Sequence, residues 1–224
     1  RMYTDYMLMT AAKNVTRDVS LVFDFIERPY SPVRFKELLV SPNEMKQKFI
    51  RLINEEIKNK QAGKPAYILI KINHITDPVM VKKLYEASSH GVRIDLLVRG
   101  NCSLITGVPG VSDTIRINGI IDRYLEHSRI FIFANGGDEK MFIGSADWMP
   151  RNLDNRVEVI APVYDPEIKA DLKRVVEYGL KDTLQGRVVD GTGENRPWIS
   201  EDKTAFRSQE ELYKYYLNEN RIKD

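Results

Sequence analysis

Two almost unbroken apolar runs constrain the fold of this chain more than any other feature. They are Tyr67-Ile68-Leu69-Ile70-Lys71-Ile72 and Arg93-Ile94-Asp95-Leu96-Leu97-Val98. Runs of this length suit central strands covered on both faces. Between them the pattern predicts a helix over about Asp77–Ser89, closed by Gly91. Strand, helix and strand with short connections form a βαβ unit, whose strands run parallel.

The flanking segments add to this unit. Val15, Val19, Val22, Phe23 and Ile26 recur at helical spacing over Asn14–Glu27, and Arg28-Pro29-Tyr30-Ser31-Pro32 stops that helix. A second helix has a start signal in Ser41 as cap, Pro42 in the first position and Glu44 three residues after the cap. Met45, Phe49, Ile53 and Ile57 line its face, and the segment 61–65 ends it. Ile115–Ile121 reads as a short strand. Ile130–Phe133 and Lys140–Ile143 read as a hairpin around Asn135-Gly136-Gly137-Asp138. Val157–Ala161 is a further strand. Asp165-Pro166 opens a helix carrying Ile168, Leu172, Val175, Val176 and Leu180, which Gly186 ends. A polar tail follows, with one helix capped by Ser208 and Glu211. The class predicted is α/β: a mixed, largely parallel sheet flanked by helices.

Composition excludes several functions. The 224 residues are 42% hydrophobic and 29% charged, which fits a globular core. No apolar run reaches the ~20 residues that span a bilayer. Lys and Arg number 34 against 32 Asp and Glu, a net charge of +2. That balance does not suit a general nucleic-acid binder, so an anion site has to be local. Cys102 is the only cysteine. It allows no intrachain disulfide and no cysteine-based zinc site, and a reducing, cytoplasmic compartment is expected. Arg1 precedes Met2, and structure begins almost at once, so a piece of a longer chain is expected.

Three segments could carry chemistry. In Glu126-His127-Ser128-Arg129, a histidine stands at the mouth of the strand Ile130–Phe133 with a cation two residues on. Residues two apart in a strand face the same way. His127 could move a proton at neutral pH while Arg129 grips phosphate oxygens. A surface or core histidine beside ordinary arginines fits the pattern equally well. Arg99 ends the strand Arg93–Val98, where ligands bind in open α/β sheets, and Gly100 would let a ligand approach the backbone. A solvated arginine is the plainer alternative. Gly144 to Asn152, with Arg156 and Glu158, forms a polar segment in which Asp147 and Glu158 could each orient a histidine or arginine. A turn around a buried Trp148 is the alternative there. His90 complements a helix end, and His74 has no assigned role. No spacing suggests a protein-made metal site, a Walker loop or a Rossmann fingerprint.

Taken together, Tyr3-Thr4-Asp5-Tyr6, the stretch 25–30, Leu97 to Leu104, Asp122 to Arg129 and Ser145 to Met149 closely resemble the carboxy-terminal part of bacterial polyphosphate kinases of the first type. The likeness covers nearly the whole chain and weakens after about Gly186. It implies a phospholipase-D-like fold and reversible transfer of the terminal phosphoryl group of ATP to polyphosphate, with magnesium held mainly by groups outside this chain. It also implies that residues 1–34 end a preceding catalytic domain and its connecting helix, that 35–190 form the domain proper, and that 191–224 are a helical tail. The phosphorylated histidine of such enzymes would lie upstream of Arg1, so the chain alone is expected to be inactive. His127 matches the second essential histidine. Tyr3, Arg99 and Arg156 match ATP or phosphate ligands, and Asp5 and Glu158 match acidic residues near the site. Arg129 and Asp147 are supporting candidates. The implied partners are ATP, ADP, polyphosphate, the remaining domains and a second copy of the enzyme, with no nucleic acid; membrane association of the intact enzyme stays open.

The chain departs from phospholipase D at two places. Arg129 stands where those enzymes have lysine, and Ala134 where they have aspartate. Phosphodiester hydrolysis is therefore the weakest reading. A polyphosphate-binding or assembly module without turnover is the other alternative.

Overall fold

The computed structural model describes residues 2–30, 32–199 and 204–221. Arg1 and the last residues of the polar tail lie outside them. In chain order the elements are β1 (Tyr3–Thr4), α1 (Lys13–Glu27), β2 (Leu39–Ser41), α2 (Met45–Gln61), β3 (Tyr67–Ile72), α3 (Pro78–Ser89), β4 (Arg93–Val98), β5 (Ile115–Ile120), β6 (Leu125–Glu126), β7 (Ile130–Phe133), β8 (Lys140–Gly144), β9 (Glu158–Val163), α4 (Pro166–Lys181), β10 (Gly186–Val188) and α5 (Ser208–Arg221).

Eight strands form one sheet in the order β10-β5-β4-β3-β7-β8-β9-β2. It contains all six strands expected from the sequence, as β3, β4, β5, β7, β8 and β9. The βαβ unit is as predicted, with β3 and β4 parallel and Ile72 beside Val98. Asp77 caps α3 by accepting from the amides of Val79 and Met80. The sheet is mixed but not largely parallel. Only β3–β4 and β4–β5 run parallel, and the other five neighbouring pairs are antiparallel. The cause is connection length. The β7–β8 link is too short for the crossover that a parallel pair needs, and β9 comes back beside β8 in the opposite direction. β7 then enters beside β3 in the opposite direction.

The sheet is buried on both faces. Ile68, Ile70, Ile72, Ile94, Leu96 and Val98 pack toward α2 and α3, while Leu69, Leu97, Ile130 and Ile132 pack toward α4. This alternation explains why β3 and β4 read as nearly continuous apolar runs, interrupted only by Lys71, Arg93 and Asp95. Phe49 of α2 meets Phe131 and Trp148 at ring-centroid distances of 4.8 and 5.1 Å.

Three local expectations fail for tertiary reasons. Ser41 does not cap α2; it ends β2 opposite Glu158, and its hydroxyl donates to the Arg156 carbonyl. α2 starts later, at Met45. α1 buries Val15, Asp18, Val22 and Phe25, leaving Val19, Phe23 and Ile26 exposed. Asp18 turns that face inward because its carboxylate accepts from the amides of Glu37 and Leu38. Ser208 opens α5, but its amide and hydroxyl both donate to Asp182 of the α4–β10 connection.

Candidate functional site

The strand pairing gathers the chemical candidates at one end of the sheet. Arg99 follows β4, Asn73 and His74 follow β3, and His127 to Arg129 precede β7. Ser145 and Asp147 follow β8, while Arg156 precedes β9. The registers Ile72–Val98, Lys71–Ile130, Ile130–Ile143 and Gly144–Ile160 place all these ends on the same rim. The direction of pairing reverses at β3, so the rim includes the kind of switch point at which α/β sheets bind ligands.

His127 is the centre of this rim. Its backbone amide donates to the Thr4 carbonyl, because β1 and β6 pair in parallel. That short ladder brings two distant residues to the imidazole. Asp5 Oδ2 lies 3.0 Å from His127 Nδ1, and the Tyr3 ring stands edge-on at 5.5 Å. With Nδ1 donating to Asp5, Nε2 carries the lone pair. No spacing in the chain could join positions 3, 5 and 127; only the resemblance pointed to Tyr3 and Asp5.

Arg129 reaches the same imidazole but faces it through a lock. Its Nε and Nη2 donate to the two carboxylate oxygens of Asp147 at 3.2 and 3.1 Å. Its Nη1 donates to the His127 carbonyl at 2.8 Å. Asp147 is buried and also accepts from the amides of Asn73 and His74. The expectation that Asp147 orients an arginine matches this geometry. His127, Arg129, Asp5, Gly144 and Ser145 line one open cavity of about 360 Å³. Gly144 is required there: a Cβ would stand 2.2 Å from the Val159 carbonyl oxygen.

Arg99 is half-buried, and its Nη1 is sealed from solvent with no hydrogen-bond partner. It lines a separate small recess with Lys71 and Glu126. Gly100 serves a different end from the one expected. A Cβ there would lie 2.4 Å from His74 Cε1, so the His74 ring takes the space assigned to a ligand. His74 Nδ1 accepts from the Asn101 amide at 2.9 Å, pinning the loops after β3 and β4 together. His90 caps α3, with Nδ1 2.8 Å from the Glu86 carbonyl, in keeping with the helix-end reading.

Glu158 does not touch a histidine or arginine. It accepts from the Ser145 hydroxyl and from Asn152 Nδ2. Arg156 is exposed on the same rim, outside the cavity around His127. Three strand positions thus share a rim, with His127 between Arg99 and Arg156, rather than one closed pocket.

Lys71 was missed because it sits inside an apolar run. It is buried, with Nζ 3.0 Å from Glu126 and 2.9 Å from the Ser128 hydroxyl, so it grips both sides of His127. A lone lysine within a buried strand is the signal that marks it. Burial raises the Glu126 carboxyl, but the Lys71 charge and the Gln209 amide outweigh it, and the group titrates below its ordinary value. A bond from Arg207 lowers Asp122 likewise. Both carboxylates therefore stabilise the fold above the ordinary carboxylate range, and this contribution is lost as pH falls through their depressed values. Urea midpoints should drop between about pH 6 and about pH 3, and Glu126→Gln should have a lower midpoint with a shallower pH slope. An equal slope in the variant would remove Glu126 from the acid transition.

This is an α/β domain with a phospholipase-D-like fold and a histidine–arginine–carboxylate rim. A phospholipase D family member, Nuc from Salmonella typhimurium, shares that fold at a TM-score of 0.50 and 14% identity, over 69% of this chain and 97% of that one. The family model "Polyphosphate kinase C-terminal domain 2" matches residues 38–209, and the chain belongs to that family. Polyphosphate kinase of Escherichia coli (strain K12) is 45% identical over 96% of this chain, and that of Klebsiella pneumoniae 46% over 95%. The crystal structure of polyphosphate kinase from Porphyromonas gingivalis superposes at a TM-score of 0.90 with 39% identity, over 96% of this chain and 33% of that one. The chain spans about a third of the length of these relatives.

Proposed function

We propose that this domain supplies part of the phosphate-holding site of an ATP–polyphosphate phosphotransferase. The observation that carries this reading is the row of basic groups along one rim, with a buried Arg99 nitrogen left without a partner. Arg99 and Arg156 leave strand ends four positions apart in the sheet. At roughly 4.8 Å per strand, that row is about 19 Å long, which suits linked phosphates better than one. Arg99 would bind phosphate oxygens in the ground state. Arg129, held flat by Asp147, would present fixed positive charge beside His127. Phosphoryl transfer needs such positioned charge more than covalent chemistry. His127, oriented by Asp5, would move a proton or stabilise the transferring group at Nε2.

The phosphoryl carrier implied by the resemblance, the residues that hold adenine, and a second copy of the enzyme belong to the same proposal. Magnesium fits this chain poorly as a resident ion. Among the described residues no three His, Cys, Asp or Glu side chains group for a metal. Asp5, Glu126 and Glu158 each have another partner. Magnesium would instead arrive on the nucleotide as part of the substrate. Among the described residues no helix is long and apolar enough to cross a membrane.

The reading is tested in the intact enzyme by following polyphosphate made from ATP and magnesium. Arg99→Ala should raise KM for ATP and also lower kcat, because it removes charge felt in ground and transition states alike. An unchanged KM would take Arg99 out of phosphate binding. Polyphosphate binding without any turnover would favour the assembly-module alternative.

A further inference from the structure

We propose that α5 is a clamp that positions the His127 loop, with Gln209 as its positioning residue for the phosphotransfer proposed above. The carboxy-terminal segment reads as a polar tail from sequence, yet its first turn holds the strand before His127 at three points. Arg207 donates through Nε and Nη2 to both carboxylate oxygens of Asp122, at 2.9 and 2.6 Å. Gln209 Oε1 accepts from the Tyr124 amide at 2.9 Å. Gln209 Nε2 donates to the Tyr124 carbonyl at 3.0 Å and to Glu126 Oε1 at 2.9 Å. One buried side chain thus spends both donors and its acceptor on Tyr124 and Glu126, two of the three residues directly before His127.

The clamp is anchored and reaches the other half of the site. Ser208 donates through its amide and hydroxyl to buried Asp182 at 2.8 and 2.7 Å, which ties the start of α5 to the end of α4. Further along, the Tyr216 hydroxyl donates to Asp171 of α4 at 3.0 Å and lies 3.2 Å from the Tyr6 hydroxyl. Tyr6 directly follows Asp5, which orients His127. α5 therefore touches both segments of the β1–β6 ladder that carry Tyr3, Asp5 and His127. That ladder has only two residue pairs and stands apart from the eight-stranded sheet. A ladder so short does not hold its own register, so outside contacts have to fix it.

Glutamine is the required chemistry at 209. Glutamate would keep an acceptor for the Tyr124 amide but would turn a second oxygen toward the Tyr124 carbonyl and the Glu126 carboxylate. Alanine would leave the Tyr124 amide and carbonyl without their side-chain partner.

The test uses the intact enzyme with Gln209→Ala and Gln209→Glu, and Asn218→Ala, exposed on α5 and away from the clamp contacts, as a control. Amide hydrogen exchange by mass spectrometry should speed up about tenfold over residues 122–129 in both Gln209 variants, and more in Gln209→Glu. Exchange over β3 and β4 should not change, nor should any segment near His127 in Asn218→Ala. With ATP and magnesium, kcat should fall about tenfold to a hundredfold, as a misplaced catalytic group does, while KM for ATP moves little. Unchanged exchange over 122–129 overturns the clamp, and so does acceleration spread evenly over the sheet, which reports simple destabilisation. Local acceleration with kcat intact overturns its role in positioning. If the unsubstituted enzyme makes no polyphosphate, the phosphotransfer reading fails, while the exchange measurement decides the clamp separately.

Discussion

His127→Ala in the intact enzyme should lower kcat by about 10²- to 10⁴-fold while the protein stays folded. The imidazole is more than a third exposed and lies outside the apolar clusters, so truncation leaves no core cavity. Its backbone amide, which holds β6 to β1, survives the change. What is lost is a ring whose Nδ1 faces the Asp5 carboxylate and whose Nε2 lies 3.1 Å from Nη1 of Arg129. If that ring acts on the moving phosphoryl group, its effect is confined to the transition state, and KM for ATP should change far less than kcat. Steady-state kinetics beside a melting curve decide this. A well-folded variant retaining most of its kcat would remove His127 from the mechanism, and a large fall in Tm with activity per folded molecule intact would make the residue structural.

Asp147→Ala should be the most damaging single change to stability at the site, costing about 3–5 kcal/mol. Asp147 is 4% exposed and serves four donors: two from Arg129 and the amides of Asn73 and His74. Its removal leaves the Arg129 charge, itself only 10% exposed, without its counter-ion. It also frees the loop after β3 that His74 pins to Gly100 and Asn101. Asp147→Asn keeps an acceptor for the backbone amides and should cost less. Urea unfolding of both variants measures the difference. Equal, small losses would mean that Arg129 finds another partner and that the lock is dispensable. Where the fold survives in Asp147→Asn, kcat should still fall, since Arg129 is no longer held against His127.

The sheet was legible because β3 and β4 are buried on both faces, and an unbroken apolar run has few other structural meanings. The β7–β8 hairpin was legible because Asn135, Gly136 and Gly137 all adopt positive φ, which few residue types accept. His127, Arg129, Asp147 and Arg99 stood out as polar groups at the ends of apolar strands, and that is where the rim lies. Other features depended on contacts between residues far apart in sequence. Ser41 carries the local signature of a cap but is drawn into β2 by its partners 115 and 117 residues away. Asp18 turns α1 by binding amides 19 and 20 residues downstream. Lys71 hides within an apolar run because its partners, Glu126 and Ser128, arrive from another strand. By itself the sequence determined the helices and the longer strands, and which polar groups lie at their ends, since burial period and turn chemistry act over a few residues; the short strands β1, β2, β6 and β10 left no such pattern. Only the tertiary structure decided strand direction, the joining of Tyr3 and Asp5 to His127, and the seating of α5 on the loop before it. Each of these rests on a hydrogen bond or ion pair whose two halves carry no mark of one another in the chain.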